Sequence, residues 1–166
     1  MPAAFDDLGI CFEYPDNWSL EERAGGAQSG AAQIVVWGPQ TAFWHLSKHP
    51  ATVDMETLFD EALAAMRAQY PDMEVEPADN LTTAGGWMDG DEETGLEGAI
   101  GSLQGFNVNF ICLDLTVTAW LRGLRTRTAS YLLLCQAEDR ELPVVGPVFR
   151  AMWISLLRND GASVKR

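Results

Sequence analysis

A chain of 166 residues is long enough for one domain with a real core, and its 24 acids against 11 bases leave a net charge of −13. That sign repels phosphate backbones and anionic lipid, so neither nucleic acid nor a membrane is an expected partner. The three cysteines, at 11, 112 and 135, form no CxxC pair, Met1 to Asp7 has no cationic start, and nowhere do about 20 apolar residues run together, so a single, reduced, cytoplasmic domain over 1–166 is expected.

In chain order, Gly9 to Tyr14 reads as an aromatic-rich strand, Pro15-Asp16-Asn17 as turn chemistry and Trp18 to Arg23 as a second strand, which predicts a hairpin corner. Ala32 to Trp37 is strand-like by its β-branched content and is stopped by Gly38-Pro39; Phe43 to His49 follows as the next strand. Short strands joined by turns rather than helices predict an antiparallel meander. The period then changes. Met55, Leu58, Phe59, Ala62, Leu63, Met66 and Tyr70 recur at helical spacing, with Asp54 placed to cap the start and Pro71 to end the helix.

Between Met73 and Leu103 the signal is mixed: strands are expected at Met73 to Pro77, Leu81 to Trp87 and Leu96 to Leu103, with a polar loop at Asp89 to Gly95. The strongest β signal runs from Asn107 to Thr118, Ala119 to Arg125 and Ala129 to Glu138, with breaks expected at Thr116 to Thr118 and Thr126 to Thr128. In Phe110-Ile111-Cys112-Leu113 and Tyr131-Leu132-Leu133-Leu134-Cys135 successive residues are apolar, so both faces of these strands need cover. A second amphipathic helix is predicted from Pro143 to Leu157. The expectation is an α+β fold, an α/β/α sandwich with a central antiparallel sheet and one main helix on each face.

Charge is uneven along the chain. Asp54 to Glu97 holds thirteen acids and one base, Arg67, while Leu115 to Arg166 holds eight bases and four acids. The acidic segment reads first as a solubilising surface and second as a docking face.

The corner FEYPDNWSLEE, the segment PQTAFWHLSKHP leading into VDMETLFDEALAAMRAQYPD, and the closing order strand, strand, strand, helix together resemble the PsbP-like family. That family includes the extrinsic PsbP protein of photosystem II, a factor that releases nucleotide from the GTPase Ran, DcrB-like lipoproteins and chaperones of type VI secretion effectors. The resemblance implies a PsbP-like domain that binds or assembles proteins rather than an enzyme, and it carries over no functional residue.

The candidate chemistry is sparse. His45 and His49 share one face of a strand but stand about 13 Å apart along it, too far for one metal ion. Cys11, Cys112 and Cys135 sit in apolar runs and read as packing thiols, not nucleophiles. Asp114, between Leu113 and Leu115, falls opposite Trp120 and near Arg122 if the chain turns near Val117, which predicts a polar pair, Asp114 with Arg122. Asp89, Asp91 and Glu93 alternate as in a calcium loop, but Thr94 stands where the tight-turn glycine belongs and Ile100 where the closing glutamate belongs, so an EF-hand is excluded. Arg122, Arg125 and Arg127 do not share one face. No nucleotide-binding, nucleophile-elbow or zinc-protease motif is present, and no cofactor or metal is expected.

Six tryptophans are generous for this length, and most are expected in the core. Were Tyr14, Trp18, Trp37, Trp44 and Trp87 exposed together on one sheet face, they would form a groove for a peptide. The leading expectation is thus a non-enzymatic binding or assembly module with a protein partner. The alternatives are a small enzyme with a site near His45, His49 and Asp114, and a structural subunit that forms a homodimer.

Overall fold

The computed structural model describes residues 2–23, 31–78, 103–126 and 128–164. In chain order these hold β1 (Pro2–Asp7), β2 (Ile10–Pro15), β3 (Ser19–Arg23), β4 (Ala32–Trp37), β5 (Phe43–Pro50), α1 (Met55–Gln69), β6 (Glu74–Pro77), β7 (Leu103–Cys112), β8 (Leu115–Arg125), β9 (Ala129–Glu138) and α2 (Leu142–Val164). The expected strand at Leu81 to Trp87, the Asp89 to Glu93 run and Trp87 itself lie outside the described residues.

Seven strands form an antiparallel sheet in the order β3-β4-β5-β9-β8-β7-β6. The two most apolar runs, in β9 and at the end of β7, flank β8 near its middle. Alternation along the strands sends Trp44, Leu46, Tyr131, Leu133 and Cys135 to one face and Phe43, His45, Leu132 and Leu134 to the other. On the first face, α2 lays Val145, Phe149, Met152, Trp153 and Leu156 onto the sheet. On the opposite face, α1 packs Leu63 and Met66 against Val108, Phe110, Val117 and Ala119. The expected sandwich with one helix on each face is therefore the architecture of the described residues.

Gly123 shows how closely α1 seats. A Cβ at this position would come within 2.5 Å of Met55 Sδ and 2.6 Å of Phe59 Cζ, so any residue larger than glycine forces these two side chains to move. Asp54 is the N-cap residue by position, with extended backbone, but its carboxylate accepts from Thr57 Oγ1 at 3.1 Å rather than from a helix N–H.

The first strands depart from the expected meander. Pro15 to Trp18 is a tight corner, closed by Trp18 N–H donating to Pro15 O at 3.0 Å, but β2 and β3 do not pair. β2 instead pairs with β1 in a separate two-stranded sheet, and only after the corner does the chain enter the main sheet as β3. The corner joins two sheets and is not a hairpin. The small hairpin packs beside α2, where Phe12 meets Trp44 at a ring separation of 4.8 Å, and its tip is pinned by Lys48 Nζ donating to Gly9 O at 2.8 Å. β1 escapes a sequence reading because Pro2-Ala3-Ala4 and Asp6-Asp7 carry little β propensity; its cover comes from the neighbouring core.

The β7 to β8 turn is likewise displaced from its expected place. It lies at Leu113-Asp114, with Cys112 opposite Leu115, and Thr116 to Thr118 continue as strand. The break at Thr126 to Thr128 stands: Thr126 Oγ1 accepts from the Thr128 and Ala129 N–H groups at 3.2 and 3.1 Å and closes the connection to β9.

Candidate binding site at the hairpin end of the sheet

The β7–β8 hairpin outruns its neighbours. β9 pairs with β8 only as far as Val117, and β6 pairs with β7 only as far as Asn109, so Phe110 to Thr116 extend past both. A two-residue connection of the type I′ kind between antiparallel strands has positive φ at both turn residues, and here Leu113 has φ +50° and Asp114 φ +64°. Asn-Gly or Asp-Gly would suit this backbone; leucine in the left-handed region costs about 1 kcal/mol or more. Packing does not offset that cost, because Leu113 is 91% exposed and Ile111 behind it 69%.

The other face of the same hairpin is firmly seated. Tyr70, at the C-cap of α1, stacks on Phe110 with ring centroids 4.1 Å apart and planes 21° apart. On the far side Thr118 Oγ1 donates to Asp139 Oδ1 at 2.6 Å and the Asp139 N–H donates to Thr116 O at 2.9 Å, tying the end of β9 to β8. Beside the hairpin base lies a cleft of about 500 Å³ that includes Tyr70, Met73, Phe110 and Ile111, with Asp72, Glu74 and Asp139 as its carboxylates. The site thus offers an exposed aliphatic tip, a part-apolar cleft and an acidic rim on a rigid base.

The residues singled out from sequence are scattered. Trp44 is fully buried under α2; Trp18 is half-buried, with its ring edge-on to Phe149 at 5.9 Å; Tyr14 is half-buried beside Phe12. Tyr14 lines a separate groove between β2 and α2, with Pro15, Pro147 and Met152. Trp37, 41% exposed, lies on the opposite sheet face, packed on Phe43 and hydrogen-bonded through Nε1 to Glu21 Oε2 at 3.1 Å. These four make no common aromatic face, because strand alternation sends Trp37 and Trp44 to opposite sides.

Nor do Asp114 and Arg122 form the expected pair. With the turn at Leu113-Asp114, Trp120 stands opposite Asn107 and Arg122 opposite Gly105, while Asp114 is exposed at the tip. The Arg122 guanidinium is buried and donates to Phe106 O (2.9 Å), Leu121 O (3.1 Å) and Asn107 Oδ1 (2.8 Å). Burial lowers its pKa to about 10, which still leaves it charged at pH 7.

Asp114 is also remote from the histidines. His45 is in register, through Leu134 of β9, with Leu121 of β8, and Asp114 lies seven residues along that strand, roughly 23 Å at 3.3 Å per residue. His49 Nε2 is 2.9 Å from Ser47 Oγ, while the buried Nε2 of His45 has no hydrogen-bond partner among the described residues. Burial pushes the Cys135 thiol well up, and Cys11 is raised by burial and by Asp6 and Glu13, the opposite of an activated nucleophile. Among the described residues no group of three or more His, Cys, Asp or Glu side chains is placed to hold a metal ion, and no helix is long and apolar enough to cross a membrane.

No protein-family model matches the chain, and no curated protein does. Solved structures do resemble it in outline. PA94 of Pseudomonas aeruginosa, a protein of unknown function offered as a regulator, aligns over 93% of this chain and 95% of its own at 13% identity and a TM-score of 0.46. LpqN of Mycobacterium tuberculosis, involved in cell envelope biogenesis, aligns over 92% of this chain and 86% of its own at 12% identity and a TM-score of 0.43. Nothing about activity follows from likeness at this level.

Proposed function

We propose that this protein is a non-enzymatic binding or assembly module that engages a protein partner through the end of the β7–β8 hairpin. The observation that carries this reading is Leu113: a large apolar side chain, almost wholly exposed, held at a backbone angle that disfavours it. Neither folding stability nor solubility explains leucine there, whereas insertion into a partner's pocket does. The carboxylates of Asp72, Glu74 and Asp139 around the adjoining cleft suit a partner segment that places basic residues beside its apolar contact. The PsbP-like corner and element order support the same class of role by analogy.

Among the described residues, the edges of the sheet weigh against the dimer-forming alternative. β3 exposes Glu21, Glu22 and Arg23, and β6 is four residues long with Glu74, Glu76 and Pro77 exposed, features that deter edge-to-edge pairing. The enzyme alternative loses its proposed cluster with the removal of Asp114 to the hairpin tip.

The test is affinity capture from host extract with the wild-type chain and with the Ile111→Thr, Leu113→Asn double variant side by side. Proteins retained by the first and lost by the second support the reading. Identical retained sets, or none in either, refute it.

A further inference from the structure

A second surface, distinct from the hairpin, is the outer face of α2. In a chain of net charge −13, the stretch from Leu142 to Asn159 carries two bases, Arg150 and Arg158, and no acid. The inner side of the helix is apolar and buried on the sheet, through Val145, Phe149, Met152, Trp153 and Leu156. The outer side is apolar too. Pro143, Val144, Pro147 and Ala151 are exposed, Val144 by 74%, and Val148 and Ile154 are half-buried. At 3.6 residues per turn these six positions fall within one arc of about 140°. By contrast, α1 turns Glu56, Asp60, Glu61 and Arg67 to solvent. A helix that is apolar on both sides is ordinarily covered on both.

The charges beside this face say what covers it. Where α2 passes β2, a groove of about 500 Å³ is bounded by Asp16, Tyr14, Pro147 and Ala151. Past Glu13 and Ser155 it runs on into a second, of about 520 Å³, that ends at Arg158. β2 lies antiparallel to α2, since the Glu13 N–H donates to Ser155 Oγ at 2.9 Å and Asn159 Nδ2 donates to Cys11 O at 3.2 Å. Asp16 therefore stands toward the start of the helix and Arg158 toward its end, which makes the groove acidic at one end and basic at the other. A two-fold axis through Ala151 turns such a surface onto its own complement. The second helix then runs antiparallel to the first, brings Arg158 of the partner subunit over Val144 near Asp16, and sets apolar face on apolar face. The charged edges of the sheet deter a dimer built through strands; this arc has no charged residue between Pro143 and Ser155 to do the same.

We propose that the outer face of α2 binds a second copy of this chain, with the two helices antiparallel about Ala151 and Arg158 of each copy against Asp16 of the other.

The experiment is sedimentation equilibrium of the full chain from about 1 to 100 μM, which brackets the weak end of ordinary interfaces. The wild type is expected to pass from the mass of one chain to that of two. Ala151→Arg, or Ala151→Glu should the first disturb folding, sets like charges against each other on the axis, and the mass should stay that of one chain throughout. Arg158→Glu should weaken association by about fivefold or more, and adding Asp16→Lys to it should restore the wild-type affinity to within about twofold. Leu113→Asn should associate as the wild type does. A wild type that stays at one chain mass at the highest concentration overturns the proposal and leaves the face to a different partner. So does a folded Ala151 variant that still associates, an Arg158→Glu chain as tight as the wild type, a charge exchange that restores nothing, or association that Leu113→Asn abolishes.

Discussion

Tyr70, the residue that ends α1, lies flat on Phe110 of β7 with ring centroids 4.1 Å apart, and this contact fastens the protruding hairpin to the face of the sheet that α1 covers. Aromatic pairs contribute about 0.5–1.5 kcal/mol beyond the area that they bury. Tyr70→Leu keeps an apolar contact and loses the stack, so unfolding stability should fall by about 1 kcal/mol in a urea titration. A loss confined to a few tenths would show that the hairpin is held by other contacts.

Leu113 should behave unlike an ordinary leucine. Asn tolerates the left-handed region, and there is no packing at this position to lose. Leu113→Asn is therefore expected to raise stability by about 0.5–1 kcal/mol, read as a higher urea midpoint at unchanged slope. Destabilisation would mean that the side chain serves the fold, and the reading of it as a contact for a partner would lose its basis.

Gly123→Ala carries the opposite expectation. The added methyl would meet Met55 and Phe59 inside van der Waals contact, so α1 must shift or its side chains must leave their rotamers. Overpacking of this kind costs about 1–3 kcal/mol. A thermal melt unchanged within a degree would show that α1 does not approach β8 so closely.

These contrasts show which parts of the fold were legible in the sequence. The apolar run through Tyr131 to Cys135 announced a strand covered on both faces, and the spacing from Met55 to Tyr70 announced one of the helices that cover it; both signals are local and strong. β1 was not legible, because its stability comes from Phe5 packing within a distant core and not from propensity. The hairpin tip was misread for a related reason. Leu-Asp lacks the Asn-Gly signature of a two-residue turn, so the sequence points to the threonines that follow as the break and places Asp114 inside the sheet. The candidate site was hidden by the same error: an apolar residue read as interior strand proved to be the exposed tip.

Acid should weaken the fold through the histidines. Burial lowers the pKa of both His45 and His49; the Arg23 charge adds to the shift at His45, and Glu61 opposes it at His49. The unfolded chain therefore takes up these protons first, beginning near the ordinary value of about 6.5. Their contribution is fully present above that pH and is lost as pH falls through the lower folded-state values. Glu141 runs the other way, since burial and Glu138 raise its pKa, so its contribution is present at low pH and lost as pH rises through the folded-state value. Comparing the wild type with His45→Gln cancels that term. Between pH 7.5 and 5.5 the wild type should lose stability more steeply, by at most about 1.4 kcal/mol per pH unit for one group. Parallel curves would show that His45 titrates alike folded and unfolded.

The measurement that bears most directly on the hairpin as a docking surface joins two readouts in one protein. Leu113→Asn is assayed for urea stability and, in the same preparation, for retention of the proteins that the wild type captures. The expected result is a more stable chain that no longer holds its partner. A chain that is more stable and holds the same proteins as tightly would contradict the account, because exposure and strain at Leu113 would then serve no contact.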